Sequence, residues 1–400
     1  MTNCIRLAIV GGSRGASLGP TLSSMEGKAR LEAVCDSNPE ALRRWREEYP
    51  GVRAYSEFDR LLEDANIDAV YIATPLFLHA QQAIAALRAG KHVLCEVIAA
   101  HTLEDGWELI ETVEATGLTY MLAENYCYMR SNMLVRNMVE HGLFGDIIHA
   151  EGGYIHDCRS LFHHSDGQLT WRGEMMRGYN GNTYPTHSLG PVAQWLRINR
   201  EGGDSLDSLT TFVSKSEATA KYFAEHVSSD HPGASPAYWK QGDSAVTLIR
   251  TKKGAIITLR YDVQSSRPHN MTHYALQGTS GAYLSERAEG ENSLVWTEKM
   301  SGDGVGHPQW EPLWNRAGEW EHPLWRHWLP EAEKAGHGGG DFFVLREFVA
   351  AIIERRKPEI DVYDAVTWSS VFPLSIQSVN GQGAPVKFPD FRYDQHSLKT

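Results

Sequence analysis

Short apolar runs alternate with helical patterns through the first 125 residues, and this alternation limits the fold more than any other feature of the chain. The first run, Ile5–Val10, ends in Gly11-Gly12. A second at residues 31–35 ends in Asp36, and others follow at 69–73, 92–96 and 120–123. Between them lie helical stretches at Pro39–Glu48, 79–89 and Leu103–Thr116. Asn38 and Pro39 supply an N-cap and a first-turn proline, and Gly90 a stop. Strands separated by helices cannot pair as hairpins, so the pattern predicts a doubly wound parallel sheet.

After Asn125 the pattern changes. Residues 132–141 read as a helix, and 147–156 as a long strand. Further strand candidates stand at 245–249, 255–261 and 274–277. Successive strands without intervening helices predict a large, mostly antiparallel open sheet. Residues 265–338 are rich in Trp, His, Pro and Gly and read as loop-heavy, while 341–354 and 364–378 read as helices. The expected organisation is an α/β chain of two domains, 1–125 for nucleotide binding and 126–400 for substrate binding and oligomerisation.

Composition excludes several classes. A net charge of −12 argues against nucleic acid or an anionic membrane as partner. No run approaches membrane-span length. The five cysteines are scattered, with no CxxC, and read as free thiols of a reducing compartment. With no apolar leader at the start of the sequence, the expected location is the cytoplasm. An exposed sheet face commonly finds a partner, so a homodimer or homotetramer is expected.

The first turn reads Gly11-Gly12-Ser13-Arg14-Gly15-Ala16. Glycines let a backbone turn tightly and approach a pyrophosphate, the requirement of a dinucleotide-binding Rossmann fold. Ser13 and Ala16 occupy the third and sixth places of the usual GxGxxG, so the motif alone is weak. Asp36 closes the second strand. A carboxylate there can accept from a ribose hydroxyl and would repel a phosphate, which favours NAD over NADP.

Further segments carry a resemblance. Ala73-Thr74-Pro75 with His79, the run Ala89 to Glu96, and Glu124-Asn125 resemble the Gfo/Idh/MocA oxidoreductase family over essentially the whole chain. Ordinary dehydrogenases of that family carry Glu-Lys-Pro where this chain has Glu96-Val97-Ile98, and valine cannot exchange a proton. Gly152 to Asp157, the Gly181 to His187 segment with its Tyr184-Pro185-Thr186-His187, and Ala335 to Gly339 are similar to glycoside hydrolase family 109, a group of NAD-dependent glycosidases. The resemblance implies cofactor contacts at Gly11, Gly12, Ser13, Arg14, Asp36, Thr74, Leu76, His79, Glu96, Val97 and Asn125. It implies substrate contacts at Tyr154, Arg172, and Tyr184 through His187; His156 joins them because, on a strand over 147–156, it would project from the same face as Tyr154. A family tyrosine falls near Ser266-Arg267-Pro268-His269, where His269 stands instead. On residue type alone Arg172 reads as a structural arginine and His187 as a buried histidine; only position promotes them.

Glycoside hydrolysis ordinarily uses two carboxylates flanking the bond, and no such pair can be placed from the sequence. The family's route implies transient oxidation at sugar C3, elimination across C1–C2, addition of water and re-reduction of a hexoside, with or without an N-acetyl group. Tyr184 and His187 are the expected catalytic pair, sharing one face of a helical turn begun near Pro185. Pro191 predicts that this helix is short, kinked or restarted. His163, His164, His156, His187 and His337 raise the question of a metal, but there is no HExxH and the one HxxxH, His269 to His273, lies outside any expected helix. No metal is expected, and His337 is expected near the rim of the site. The rival readings are an ordinary sugar or polyol dehydrogenase, a lyase or hydratase of 3-keto sugars, and an NAD-bound sensor without turnover.

Overall fold

A computed structural model describes residues 4–25, 27–268, 272–300 and 308–392, in two compact units. The first unit is built from the chain up to Arg130, from Pro323–Ser370 and from Phe391 on; the second holds Ser131–His322 and Val371–Asp390.

In the first unit six strands pair in parallel: β1 (Ile5–Val10), β2 (Ala29–Cys35), β3 (Arg53–Tyr55), β4 (Ala69–Ile72), β5 (His92–Cys95) and β6 (Tyr120–Leu122). Their order is β3-β2-β1-β4-β5-β6. Strand order reverses beside β1, so β1 and β4 lie side by side with their carboxyl ends at one edge. That edge carries Gly11, Asp36, Thr74, Glu96 and Asn125. β1, β4 and β6 are buried on both faces, as expected of a helix-covered parallel sheet, while the edge strand β3 is half-buried.

In the second unit nine strands form the sheet β14-β13-β12-β11-β7-β10-β9-β8-β15. They are β7 (Ile147–Ile155), β8 (Leu206–Val213), β9 (Ala245–Thr251), β10 (Ile256–Asp262), β11 (Thr272–Gly278), β12 (Gly281–Leu284), β13 (Leu294–Thr297), β14 (Glu311–Pro312) and β15 (Val386–Lys387). Only the central pair β7–β10 is parallel. The helix Thr186–Trp195 lies directly on β7: a methyl at Gly152 would stand 2.0 Å from the Ser188 carbonyl. On the opposite face Phe212, Val246, Leu248 and Ile256 are exposed.

Three expectations need correction. Residues 364–378 are not one helix but two, Val362–Ser369 and Val371–Asn380, and the break at Ser370 is where the chain passes between units. The stretch 265–338 holds β11 to β14 and the helix Pro323–Ala332, because its apolar positions are gathered by short hairpins rather than long strands. The helix carrying His187 begins at Thr186, so Tyr184 precedes it instead of lying on its first turn.

Candidate active site

At the nucleotide edge the backbone does most of the shaping. Gly11 has φ of 93°, and a Cβ there would lie 2.5 Å from the Ala73 carbonyl oxygen. Gly15, which the motif reading passed over, takes the close-packing role: its Cβ would come within 2.2 Å of Ile9. Trp45 Nε1 donates to the Gly12 carbonyl at 2.9 Å and holds the turn from beneath. Ser13 and Arg14 are exposed beyond it. Asp36 is half-buried, its Oδ1 accepting from the Asn38 N–H at 2.8 Å.

Side chains brace this edge. Tyr71 donates to Glu96 Oε1 at 2.5 Å, and Arg14 Nη2 lies 3.0 Å from the same oxygen. Burial pushes the Tyr71 hydroxyl well above its usual range, so it stays a donor. His79 places Nδ1 2.8 Å from the Ile98 carbonyl and Nε2 2.8 Å from the Thr74 carbonyl. Burial lowers its pKa against the pull of these carbonyls, and the neutral ring, with a single N–H, can donate to only one of the two. Thr74 itself bonds Gln82 at 2.6 Å. Leu76 and Val97 are almost fully buried.

Asn125 opens the turn after β6. Its Nδ2 donates to Asp341 Oδ1 at 2.8 Å, while its buried Oδ1 has no protein partner. His337 Nδ1 donates to the other Asp341 oxygen at 2.9 Å. The segment that delivers His337 winds through positive φ at His337, Gly338 and Gly339, and Gly340 packs on the Asn125 carbonyl with no room for a Cβ. The Asp341 hydrogen bond raises the His337 pKa. Burial works to raise the Asp341 carboxyl, but the His337 contacts and the Asn125 amide bring it below its usual value. An imidazole whose Nδ1–H is held by a carboxylate presents Nε2 as a proton acceptor. The sequence placed His337 only loosely, and its carboxylate partner was missed.

These residues fit a dinucleotide. The glycine turn leaves backbone room, Asp36 stands where a ribose would lie, and the orphaned Asn125 oxygen is a buried acceptor lacking a donor.

In the second unit side chains make the site. Tyr154 near the end of β7, Tyr184 and His187 form a triangle: ring centroids are 5.6 Å apart for Tyr154–Tyr184, 5.0 Å for Tyr154–His187 and 5.3 Å for Tyr184–His187. β7 ends at Ile155, one residue short of the expected strand, so His156 lies just past it, its ring 6.0 Å from that of Tyr154. Tyr154, His156, Tyr184 and Arg172 line a hollow of about 460 Å³ with Cys158, Trp171 and Tyr261 among its other walls. Thr170 caps the helix that presents Arg172, whose guanidinium lies 4.3 Å over the Trp171 ring. Among the described residues no Asp or Glu lines this hollow. Cys158 is pushed up to about 12 by burial and remains a thiol. The side chains of Asn182 and Thr186 carry buried polar atoms without hydrogen-bond partners among the described residues.

His187 is held by a device that spacing could not reveal. Pro191 sits inside the helix Thr186–Trp195 and cannot donate to the His187 carbonyl. Tyr274 on β11 donates its hydroxyl there instead, at 2.5 Å. The helix therefore runs on through its proline, with His187 fixed in the first turn.

Of the expected substrate residues, Tyr154, His156, Arg172, Tyr184 and His187 come together; His269 lies outside the described residues. Among the described residues no three His, Cys, Asp or Glu side chains come together as a metal site. No helix among them is long and apolar enough to cross a membrane.

Comparison with known proteins adds three findings. The model of the glycosyl hydrolase 109 C-terminal domain matches residues 128–397, and that of the oxidoreductase family with an NAD-binding Rossmann fold matches residues 5–124. A glycosyl hydrolase family 109 protein of Solibacter usitatus is 36% identical across 97% of this chain and 88% of its own length. An alpha-N-acetylgalactosaminidase of Shewanella oneidensis is 36% identical across 97% of this chain and 85% of its own. Levoglucosan dehydrogenase in complex with NADH shares the fold, with a TM-score of 0.76 at 20% identity, covering 97% of this chain and 100% of that one.

Proposed function

Because the chain belongs to glycosyl hydrolase family 109 and its residues 5–124 match an NAD-binding Rossmann fold, we propose that it is a redox-assisted glycosidase whose sugar site is the hollow walled by Tyr154 and Tyr184, with His187 against both rings. The observation that carries this reading is the lining itself: the rings of Tyr154, His156 and Tyr184 gather there with His187 packed against both tyrosines, and among the described residues no carboxylate lines the hollow. A direct displacement at C1 calls for two carboxylates across the bond. An elimination across C1–C2 calls instead for bases near the C3 hydroxyl and the C2 proton.

When bound, NAD supplies reversible oxidation at sugar C3, which acidifies C2. Gly11, Asp36, Glu96 and Asn125 are the residues that would hold it. Tyr184 and His187 move the protons at C3 and C2, within a triangle whose third member, Tyr154, stacks on Tyr184. His187 acts as the base from the first turn of its helix. Arg172 and His156 orient sugar hydroxyls from the wall. Val97 offers no proton, which speaks against ordinary dehydrogenation.

The substrate class is a hexoside, with the N-acetylated galactoside named for the Shewanella oneidensis relative as the first to try. The apolar sheet face with Phe212, Val246, Leu248 and Ile256 supports a homodimer or homotetramer. Five free cysteines support a reducing, cytoplasmic setting. The test is a panel of aryl glycosides with NAD, following phenol and NADH together. Phenol release without net NADH supports the proposal; NADH formed from free sugar without phenol release makes the protein a dehydrogenase.

A further inference from the structure

A second hollow, of about 450 Å³, adjoins the sugar site and shares His156 with it as a common wall. Its other walls are Asp157, Ser160, Tyr222 and Arg267. A group attached to a sugar beside Tyr154 and Tyr184 can pass His156 into this space.

The charges around it do not cancel. Asp157 is fully engaged by Arg159, with Nε to Oδ1 at 2.9 Å and Nη2 to Oδ2 at 2.7 Å. Arg159 in turn lies 4.9 Å from the centre of the Tyr222 ring. The nearby Asp262 is 2% exposed; it accepts from Arg260 and from both the N–H and the hydroxyl of Ser265. Arg267 is left over. Its Nε is buried without a hydrogen-bond partner, and among the described residues no carboxylate forms an ion pair with it. A buried guanidinium N–H that lacks an acceptor is costly, and its planar fork matches a carboxylate or sulfate in two bonds. On a chain of net charge −12 an uncompensated cation in a cavity reverses the general field.

We propose that this hollow is a subsite for an oxyanion on the leaving group, with Arg267 as its ligand and the Tyr222 ring as its apolar wall. The substrates so favoured are hexosides joined to an acidic unit, one bearing a carboxylate or a sulfate ester. The inference rests on the sugar site assigned above.

The test compares meta-carboxyphenyl and meta-sulfatophenyl glycosides with the meta-carbamoylphenyl glycoside of the same sugar, which matches the carboxylate in shape but is neutral. The readout is the kcat/KM ratio of anionic over neutral substrate within one enzyme. A ratio of about ten is expected for the wild type, falling to about one in Arg267→Gln and lying between in Arg267→Lys, which keeps charge but not the fork. The better of the two anions identifies the source. A wild-type ratio near one, or a ratio unmoved by Arg267→Gln, overturns the subsite while leaving the glycosidase reading intact. Where no aryl glycoside is cleaved, the glycosidase reading fails by itself. The subsite is then judged by calorimetric titration of the same compounds: an anion preference lost in Arg267→Gln supports it, and equal affinities overturn it.

Discussion

Gly11 and His187 stand in opposite relations to their neighbours. At Gly11 there is no space for a single methyl, because the Ala73 carbonyl would be 2.5 Å away and the backbone is left-handed. His187 is a side chain among rings 5.0 and 5.3 Å distant, beside a hollow, and its position depends on a hydroxyl from another strand. The nucleotide edge is shaped by main chain, so it tolerates no added atom. The sugar site is shaped by side chains, so it can be altered one function at a time. The same contrast separates fixed chemistry, which every NAD-dependent relative needs, from adjustable specificity.

The sharpest way to break this comparison is Gly11→Ala. The account expects NAD affinity to fall by about a hundredfold or more, or the fold to be lost, since steric overlap and positive φ act together. Fluorescence titration with NADH and a melting curve measure both. Binding within about threefold of wild type would mean that the backbone does not set this edge.

Tyr274→Phe probes the other side. Removing the donor leaves the His187 carbonyl buried and unsatisfied, at a cost of about 1–3 kcal/mol, and kcat should fall by about tenfold as the imidazole loosens. Adding Pro191→Ala restores an N–H four residues after His187 and should recover much of both losses. A double variant no better than the single would show that Tyr274 acts in some other way.

The smallest effect concerns Asp341→Asn. Asp341 raises the His337 pKa, so the stabilisation from this pair is complete below the ordinary histidine value of about 6.5 and fades as pH rises through the raised value. Because the Asp341 pKa is lowered, the contribution also fades as acid takes the pH down through that value. The melting difference between wild type and Asp341→Asn should therefore peak in mildly acidic solution, at about 1–2 °C, and shrink on either side. A difference that does not change with pH contradicts the ion pair.

How much of this could be read beforehand follows from range. Gly11, Asp36, Glu96 and Asn125 each end a strand, and local alternation places strand ends well. The alternation also placed Tyr154 on β7, although His156 falls just past the end of that strand. What escaped depends on distant partners. Pro191 read as a helix breaker because its compensation, Tyr274, comes 87 residues after His187. The Asn125–Asp341 bond spans 216 residues. Arg267 gave no signal, since what distinguishes it is the ion pair it does not make, and that is visible only once Asp157 and Asp262 are seen to be engaged elsewhere.

The central claim is that the rings of Tyr154, Tyr184 and His187 serve an elimination rather than a displacement. Cleavage of an aryl glycoside with NAD in heavy water, with the released sugar examined by NMR, tests it most directly. The account predicts deuterium at C2, no net NADH, and loss of both cleavage and deuterium uptake in Tyr184→Phe with NAD affinity unchanged. Release of phenol with protium retained at C2 would contradict it.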